Sequence, residues 1–202
     1  KILVVGGAGY IGSHAVKELV KSNDVIVYDN LETGHKEFVD KKAIFVQGDL
    51  ADIEKLNKIF NDYNIDAVMH FANYASVGES VKYPDKYFNN NIVKGLNLLN
   101  CMVKNNVKKI IFSSSCAIYG IPNEVPILES SKLNPINPYG ETKLMFERIL
   151  RYFDTAYGLK SISLRYFNVA GASLDLSIGE KHNDETHLIP LIFEALLGKR
   201  NE

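Results

Sequence analysis

The sequence predicts an α/β fold in which a parallel sheet is covered by helices on both faces. Short, continuous apolar runs alternate along the chain with longer segments that have helical spacing. Strands that are buried on both faces have this apolar composition, and the helices between them form the crossover connections. The hydrophobic fraction of 46% and the charged fraction of 23% are typical of a globular domain.

Each element is predicted from its own pattern, beginning with a strand at 2–5 that stops at a pair of glycines. The next segment, 11–22, is predicted to be a helix because its apolar residues recur every three or four positions. The remaining predicted strands are 25–28, 43–46, 67–71, 110–112 and 161–164, and the remaining predicted helices are 52–62, 84–105, 138–157 and 188–197. Proline begins the helices at 84–105 and 138–157, where it suits the first turn.

Two stretches, 120–137 and 169–186, break the alternation of strand and helix. Both are polar and are interrupted by proline or glycine, so we expect long loops there. Each leaves the carboxyl end of a predicted strand, which is the edge where open parallel sheets bind ligands.

Charge and composition exclude several classes of partner. The formal net charge is -1, and nucleic acids and membrane surfaces both favour a strongly positive protein. No apolar run approaches the length of a membrane span. Cys101 and Cys116 lack metal-type spacing and are expected to be buried, reduced thiols, which fits the cytoplasm. The chain starts at Lys1 without an initiator Met, so we expect at least one residue to be missing there.

A glycine fingerprint, Gly6-Gly7-Ala8-Gly9-Tyr10-Ile11-Gly12, links the first strand to the first helix. Its glycines allow the backbone to approach a pyrophosphate, which the helix N-terminus attracts. Asp29 ends the second predicted strand, where a carboxylate accepts hydrogen bonds from ribose hydroxyls and repels a 2′-phosphate. This pattern favours a Rossmann-type, doubly wound sheet that binds NAD rather than NADP. A plain glycine turn with a solvated aspartate is the alternative.

Asp49 and Leu50 follow the third predicted strand. Both could border an adenine at the edge of the sheet. Alternatively, Asp49 could cap the helix that follows.

Tyr139 and Lys143 form a Y-x-x-x-K pair at the start of a predicted helix. Asn137 and Pro138 suit the N-cap and first helical positions, so the pair shares one helix face. The lysine charge and the helix dipole are both expected to lower the pKa of Tyr139 from about 10 towards neutrality. Tyr139 could then accept a proton from a sugar hydroxyl. The alternative is a pair exposed on the helix surface.

Three serines, Ser113, Ser114 and Ser115, follow the fifth predicted strand. One of them could hold a reacting hydroxyl towards Tyr139, although serines at strand ends also cap turns. The chemistry alone does not select one of the three.

These residues together resemble the extended short-chain dehydrogenase/reductase family, and within it the nucleotide-sugar 4-epimerases. The resemblance covers nearly the whole chain. It rests on the segments GGAGYIGSH (6–14), YDN (28–30), GDL (48–50), HFA (70–72), VGESV (77–81), FSSS with YG (112–115 and 119–120), NPYGETK (137–143), LRYFNVAGA (164–172) and THLIP (186–190).

The resemblance implies an isomerase that epimerises UDP-glucose and UDP-galactose at C4 through a transient 4-keto sugar, with NAD as cofactor. Tyr139 is then the base, Lys143 its partner and Ser115 the catalytic serine. The residues that the resemblance assigns to NAD are Gly6, Gly9, Tyr10, Ile11, Gly12, Asp29, Asn30, Asp49, Leu50, Phe71, Ala72, Asn91, Tyr139, Lys143 and Tyr166. Those that it assigns to the UDP-sugar are Ser115, Tyr139, Asn168, His187 and Leu188.

The resemblance also implies a domain organisation. Residues 1–168 form the NAD-binding domain, and residues 169–202 begin a smaller substrate-binding region. Such enzymes continue well beyond this length and form homodimers through two long helices. We therefore expect a fragment whose own activity depends on the missing part.

Departures from the family pattern leave alternatives open. The stretch 73–75 reads Asn-Tyr-Ala where some members carry a cofactor-contacting lysine, and His187 replaces a substrate-contacting asparagine. A 4-epimerase of an N-acetylhexosamine or uronic acid nucleotide is one alternative, and a non-catalytic NAD-binding module is another. A nucleotide-sugar 4,6-dehydratase is disfavoured, because Cys116 and Ala117 stand where that chemistry needs Asp and Glu.

A group of potential metal ligands lies near the end of the chain. His182 and His187 are interspersed with Glu180, Asp184 and Glu185. Since there is no tight i, i+4 pair of ligands and no cysteine among them, we expect a solvated loop and no metal.

Overall fold

Six strands form one parallel sheet in the part of the chain that the structure, a computed structural model, describes: residues 1–182, 185 and 187–199. The strands are β1 (Ile2–Val5), β2 (Val25–Asp29), β3 (Ile44–Gln47), β4 (Ala67–His70), β5 (Lys109–Ser115) and β6 (Lys160–Tyr166). Their order is β3-β2-β1-β4-β5-β6, and Val5 pairs with Tyr28 on one side and with His70 on the other. This order confirms the Rossmann-type sheet and places its switch point between β1 and β4.

The helices cover both faces of this sheet. They are α1 (Tyr10–Leu19), α2 (Ile53–Tyr63), α3 (Val77–Lys82), α4 (Pro84–Phe88), α5 (Gly95–Lys104), α6 (Pro138–Tyr157) and α7 (Leu188–Leu196). A π-helical stretch, Asn89–Lys94, joins α4 to α5. The single helix predicted at 84–105 is therefore one continuous helical segment that widens in its middle.

Some element boundaries differ from the prediction. Strand β5 continues through the three serines, because Ser113, Ser114 and Ser115 pair with residues of β6. Backbone hydrogen bonds extend a strand whatever the polarity of its side chains, so the polar run concealed the end of the strand. Helix α3, which Ser76 caps, was not predicted, because its six residues are too few to show a clear helical period.

Two apolar cores lie on opposite faces of the sheet. The larger one packs side chains such as Leu56, Leu98 and Phe146 from α2, α5 and α6 against the strands. The smaller one includes Val16 of α1. Coverage of both faces is therefore confirmed. No described helix is both long enough and apolar enough to cross a membrane.

The two cysteines are not bonded to each other. Cys101 lies in the larger core, as predicted, whereas Cys116 is only partly buried.

Candidate active site

The glycine loop between β1 and α1 lies at the switch point of the sheet. Gly6 has a φ of +80°, and a Cβ on it would lie 2.5 Å from the backbone nitrogen of Ala72, which follows β4. A Cβ on Gly12 would lie 2.1 Å from the carbonyl oxygen of Gly6. These two glycines are required so that the loop, the helix and the segment after β4 can pack closely together.

Gly9 is different, because no protein atom crowds the position of its missing side chain. The nearest atom to a Cβ there would be the Gly6 carbonyl oxygen, at 3.5 Å. Gly9 is also the N-cap of α1, and no side chain caps that helix end. The N–H groups of Tyr10 and Ile11, in the first turn, have no partner within the helix. The open space beside them suits a phosphate or pyrophosphate.

Asp29, at the end of β2, holds the glycine loop in place. Its Oδ2 accepts a hydrogen bond from the N–H of Ala8 at 2.9 Å, and its Oδ1 accepts one from the N–H of Leu31 at 2.8 Å. The residue is only 8% exposed, which argues against a solvated aspartate. Each carboxylate oxygen retains further acceptor capacity, so Asp29 can also accept from ribose hydroxyls.

Asp49 is fixed by a cation and an amide rather than by a helix. Its Oδ2 accepts hydrogen bonds from Lys94 Nζ and from Asn30 Nδ2, both at 2.9 Å. Burial raises its pKa, but hydrogen bonds from the Ala51 N–H, Lys94 and Asn30 outweigh burial and hold the pKa below its usual value. These contacts bring the predicted residues Asn30 and Asp49 together at the ends of β2 and β3.

The alternative role of Asp49 as a helix cap is not what the structure shows. Asp52 caps α2 instead, through a hydrogen bond from the Lys55 N–H at 2.9 Å. The side chain of Leu50 is buried in the larger core.

Asn91, in the π-helical stretch, organises the segment that follows β4. Its Oδ1 accepts a hydrogen bond from the Tyr74 N–H at 2.9 Å, and its Nδ2 donates to the Tyr74 carbonyl at 3.1 Å. Its Nδ2 also donates to Thr142 Oγ1 on α6 at 3.1 Å. Asn91 therefore ties Tyr74, in the segment that starts with Phe71 and Ala72, to the helix that carries Tyr139.

Tyr139 and Lys143 share one face of α6, as the sequence predicts. Asn137 is the N-cap, and its Oδ1 accepts a hydrogen bond from the Gly140 N–H at 2.8 Å. The Nζ of Lys143 lies 5.6 Å from the centroid of the Tyr139 ring. Lys143 is only 3% exposed, so the alternative of a pair on the helix surface is wrong.

The ammonium group of Lys143 is held by two oxygen atoms. It donates to the carbonyl of Ser113 at 2.6 Å and to Oδ1 of Asn73 at 2.7 Å. From the sequence, Asn73 was noted only as part of a departure from the family pattern and was not predicted to contact Lys143. Its position three residues after His70, the last residue of β4, on the edge where ligands bind, was the available signal.

Burial reverses the direction predicted for the pKa of Tyr139. Desolvation raises this pKa, a hydrogen bond with Ser115 lowers it, and the nearby Cys116 raises it further. Desolvation also lowers the pKa of Lys143 to about 7. A lowered tyrosine pKa requires a fully charged lysine, whereas burial of Lys143 disfavours its charged form.

The three serines of β5 have different roles. Ser113 presents its carbonyl to Lys143, and Ser114 Oγ donates to Glu147 Oε1 at 2.6 Å. Ser115 is the one whose hydroxyl contacts Tyr139, and it also accepts a hydrogen bond from the Ala117 N–H at 3.1 Å. The structure therefore brings Ser115, Tyr139 and Lys143 together.

Glu147, which is buried, and Arg165, which is partly buried, form an ion pair behind these residues that was not predicted from the sequence. Arg165 donates to both carboxylate oxygens of Glu147, from Nε at 3.1 Å and from Nη2 at 2.8 Å. It also donates to the Tyr119 hydroxyl at 2.7 Å. The available signal was spacing, because Glu147 lies one turn beyond Lys143 on the same face of α6.

The residues assigned to the UDP-sugar near the end of the chain are not enclosed. Tyr166 is half-buried at the end of β6, whereas Asn168, His187 and Leu188 are exposed. Tyr10 connects this region to α1 through a hydrogen bond from its hydroxyl to the Gly171 carbonyl at 2.6 Å. Thr186, in the THLIP segment, lies outside the described residues, as does Asp184.

This fold, with its open helix N-terminus and buried tyrosine–lysine pair at one sheet edge, defines an α/β protein that accommodates a dinucleotide. The chain belongs to the NAD dependent epimerase/dehydratase family, whose model matches residues 2–202.

Individual relatives resemble the chain over nearly all of its residues. The UDP-glucose 4-epimerase of Lactobacillus helveticus is 59% identical over 198 residues, which are 98% of this chain and 60% of that protein. A crystal structure of UDP-glucose 4-epimerase from Brucella ovis in complex with NAD is 48% identical and superposes with a TM-score of 0.96 over 99% of this chain and 62% of that one. The enzyme from Bifidobacterium longum in complex with NAD+ and UDP is 39% identical, with a TM-score of 0.93 over 100% of this chain and 63% of that one. The chain thus spans about three fifths of these relatives.

Proposed function

We propose that this chain carries the NAD-binding and catalytic residues of a UDP-glucose 4-epimerase, an isomerase that interconverts UDP-glucose and UDP-galactose. The observation that carries the proposal is the buried group of Ser115, Tyr139 and Lys143 at the carboxyl edge of the sheet. The activity named for the Lactobacillus helveticus relative, at 59% identity, supports the same choice of substrate.

The residues present fit NAD. The uncapped N-terminus of α1 and the open space at Gly9 would hold the pyrophosphate, and Asp29 would accept hydrogen bonds from ribose hydroxyls. The Asp29 carboxylate would repel a 2′-phosphate, which favours NAD over NADP. When bound, NAD supplies a reversible acceptor for the hydride of the sugar C4, so that the reaction is redox-neutral overall.

Tyr139 is the proton carrier in this proposal. In its ionised form, its phenolate oxygen takes the proton of the sugar 4-hydroxyl, and the resulting phenol returns that proton when the keto group is reduced on its other face. Ser115 lies beside Tyr139, where its hydroxyl can bind the reacting sugar oxygen. Burial of Tyr139 shields this proton transfer from bulk water.

Lys143 tunes and orients the proton carrier. Its contacts with Asn73 and the Ser113 carbonyl fix the ammonium group on the side of the tyrosine ring. With a pKa of about 7, Lys143 changes protonation near neutral pH, and its charged form favours the Tyr139 phenolate.

The remaining expectations from the sequence become part of the proposal. Residues 1–168 bind the cofactor, and residues 169–202 begin the UDP-sugar region through Asn168 at the boundary, His187 and Leu188. A cytoplasmic homodimer is the expected assembly. The exposed apolar side chains of Val93, between α4 and α5, and Tyr152, on α6, support an interface through the two long helical segments.

A 4,6-dehydratase is a weaker proposal for this site. Its chemistry needs an acid–base pair directly after the strand-end serine. Cys116 and Ala117 occupy those positions in a short helical turn, and burial raises the pKa of the Cys116 thiol. Neither side chain suits the proton transfers that eliminate water.

The experiment is to incubate the purified chain with NAD and UDP-galactose, and to measure UDP-glucose and bound NAD in the same sample. Formation of UDP-glucose supports the proposal. Bound NAD without product assigns the cofactor site to this chain and overturns the proposed activity for the chain alone. A folded chain without bound NAD overturns the cofactor assignment as well.

Tyr139→Phe is the matched variant. It removes only the phenol oxygen, so we expect conversion to fall by about 10²- to 10⁴-fold while NAD binding is retained. Equal activity of the variant and the original chain would assign the proton transfer to another group.

A further inference from the structure

Four side chains near the start of α7 converge although the sequence predicts a solvated loop there. They are Glu180, His182, Glu185 and His187, named here the His–Glu cluster. One potential ligand atom from each, two imidazole nitrogens and two carboxylate oxygens, lies within 4.8 Å of all the others. Imidazole nitrogens and carboxylate oxygens are both donor types that bind divalent transition metals.

The distances show that each imidazole faces both carboxylates. Nδ1 of His187 lies 3.0 Å from Glu180 and 2.9 Å from Glu185. Nδ1 of His182 lies 3.6 Å from Glu180 and 3.1 Å from Glu185. The two imidazole ring centroids are 5.1 Å apart. All four groups therefore surround one point.

The carboxylates of the cluster are largely removed from water. The side chains of Glu180 and Glu185 are only 9% and 10% exposed. Buried charges in proteins are paired or bind metal ions. Both carboxylates lie beside imidazole nitrogens, which are themselves common metal ligands.

We propose that the His–Glu cluster binds one divalent transition-metal ion, for which Zn²⁺ has the best-matched ligand chemistry. Imidazole nitrogen and carboxylate oxygen bind Zn²⁺ at about 2.0–2.2 Å in a tetrahedron, which places ligand atoms about 3.4 Å apart. The observed separations need only a small adjustment to reach that geometry. Ca²⁺ and Mg²⁺ prefer all-oxygen sites, so the two imidazoles disfavour them.

The site is structural, because four protein ligands fill a tetrahedral zinc ion and leave no position on the metal for substrate. His187 would bind the metal through Nδ1, so its Nε2 and its backbone remain for the proposed contact with the UDP-sugar. It would fasten the segment that precedes α7. That segment already contacts the nucleotide-binding side of the fold, where the Lys181 carbonyl lies 3.1 Å from Nε2 of His35. The metal would thus hold the start of α7 beside the sheet edge that carries the candidate active site, and its binding does not depend on the proposed epimerase activity.

Cobalt is the probe that tests the proposal. The purified, tag-free chain is stripped with a chelator and titrated with Co²⁺, whose visible absorption reports tetrahedral coordination, and Zn²⁺ is then added in competition. We expect tetrahedral Co²⁺ bands that saturate at one ion per chain and disappear with one equivalent of Zn²⁺. Elemental analysis after dialysis should find one Zn²⁺ per chain.

His182→Ala is the main variant, and Glu180→Gln is a second variant that preserves side-chain volume. Loss of outer-shell partners alone typically weakens metal binding by about 10- to 100-fold, so loss of a ligand should weaken it by more than about 100-fold. His14→Ala is the matched control, since it removes an imidazole that hydrogen-bonds the Tyr10 carbonyl at 2.9 Å and is not one of the four proposed ligands. It should bind Zn²⁺ like the original chain.

The circular dichroism of each variant establishes that it is folded. Absence of tetrahedral bands from the original chain would overturn the proposal and leave the cluster as a hydrogen-bonded network. Equal Zn²⁺ binding by folded His182→Ala, Glu180→Gln and the original chain would overturn it too.

Discussion

The glycine loop and the face of α6 that carries the proposed catalytic residues, named here the catalytic face, lie at the same edge of the sheet but are built in opposite ways. The loop takes its shape from side chains that are missing, because Gly6 and Gly12 allow backbone contacts that a Cβ would block. The catalytic face, formed by Tyr139, Lys143 and Glu147, depends on large side chains that are buried with their polar groups paired. The loop should therefore be sensitive to added volume, and the face to lost charge.

The largest effect should come from neutralising the buried carboxylate of the catalytic face. Glu147→Gln removes a buried charge that pairs with Arg165, whose side chain is partly buried, and leaves that guanidinium without its anionic partner. Removal of one member of a buried ion pair typically costs 3–5 kcal/mol, so we expect the free energy of unfolding to fall by about 3 kcal/mol. Urea denaturation monitored by circular dichroism measures this change.

Asp154→Asn is the control on the same helix. Asp154 pairs with Lys160 at 2.7 Å, but the side chains are 38% and 74% exposed, respectively. Exposed pairs contribute about 1 kcal/mol or less. Similar losses for both variants would show that burial does not distinguish the catalytic face from the helix surface.

A matched pair of glycine variants tests the loop, with an effect of the next size. Gly12→Ala places a Cβ 2.1 Å from the Gly6 carbonyl oxygen, so we expect a loss of about 2 kcal/mol in the free energy of unfolding. Gly9 has a φ of −77° and space around it, so Gly9→Ala should stay within about 0.5 kcal/mol of the original chain.

The two glycine variants should also differ in how they affect NAD binding. The methyl group of Gly9→Ala enters the space that the pyrophosphate would occupy, so we expect NAD affinity to fall by about tenfold or more, measured by calorimetry. Unchanged affinity together with unchanged stability would remove Gly9 from the proposed cofactor site.

The sequence predicts the fold well because the signals of this fold are local. Continuous apolar strands, helical periodicity and a glycine turn after the first strand each depend on neighbouring residues alone. The π-helical stretch at Asn89–Lys94 could not be predicted, since it follows from the tertiary contacts of Asn91 with Tyr74 and Thr142. Likewise, helix α3 is too short to have a clear period.

The site is predicted less completely, because much of it depends on burial. The spacing of Tyr139 and Lys143 gave their shared face, but it could not show that desolvation dominates both pKa values. The chemistry alone could not select one of the three serines. Their separate roles follow from their pairing with β6 and from the hydrogen bond between Ser114 and Glu147. The spacing along α6 was a signal for Glu147, but its partner Arg165 lies on a distant strand and leaves no trace in that spacing.

The smallest and most specific effect concerns Lys143, whose pKa is lowered from 10.5 to about 7 by burial. The unfolded chain therefore binds one more proton than the folded chain between about pH 7 and 10.5. Because stability rises with pH wherever the unfolded state binds more protons, this lysine contributes a slope of up to about 1.4 kcal/mol per pH unit in that window. Below pH 7 both states are protonated and its contribution is constant.

Lys143→Met removes the titrating group while keeping an unbranched side chain in the same space. As the pH rises from about 7.5 to 9.5, the free energy of unfolding of the original chain should therefore increase relative to that of the variant, by roughly 1 kcal/mol per pH unit. Denaturant unfolding at constant ionic strength and without NAD measures both curves. Parallel curves would mean that Lys143 keeps an ordinary pKa in the folded chain. The catalytic face would then hold its charge without a cost of desolvation, and this difference from the glycine loop would disappear.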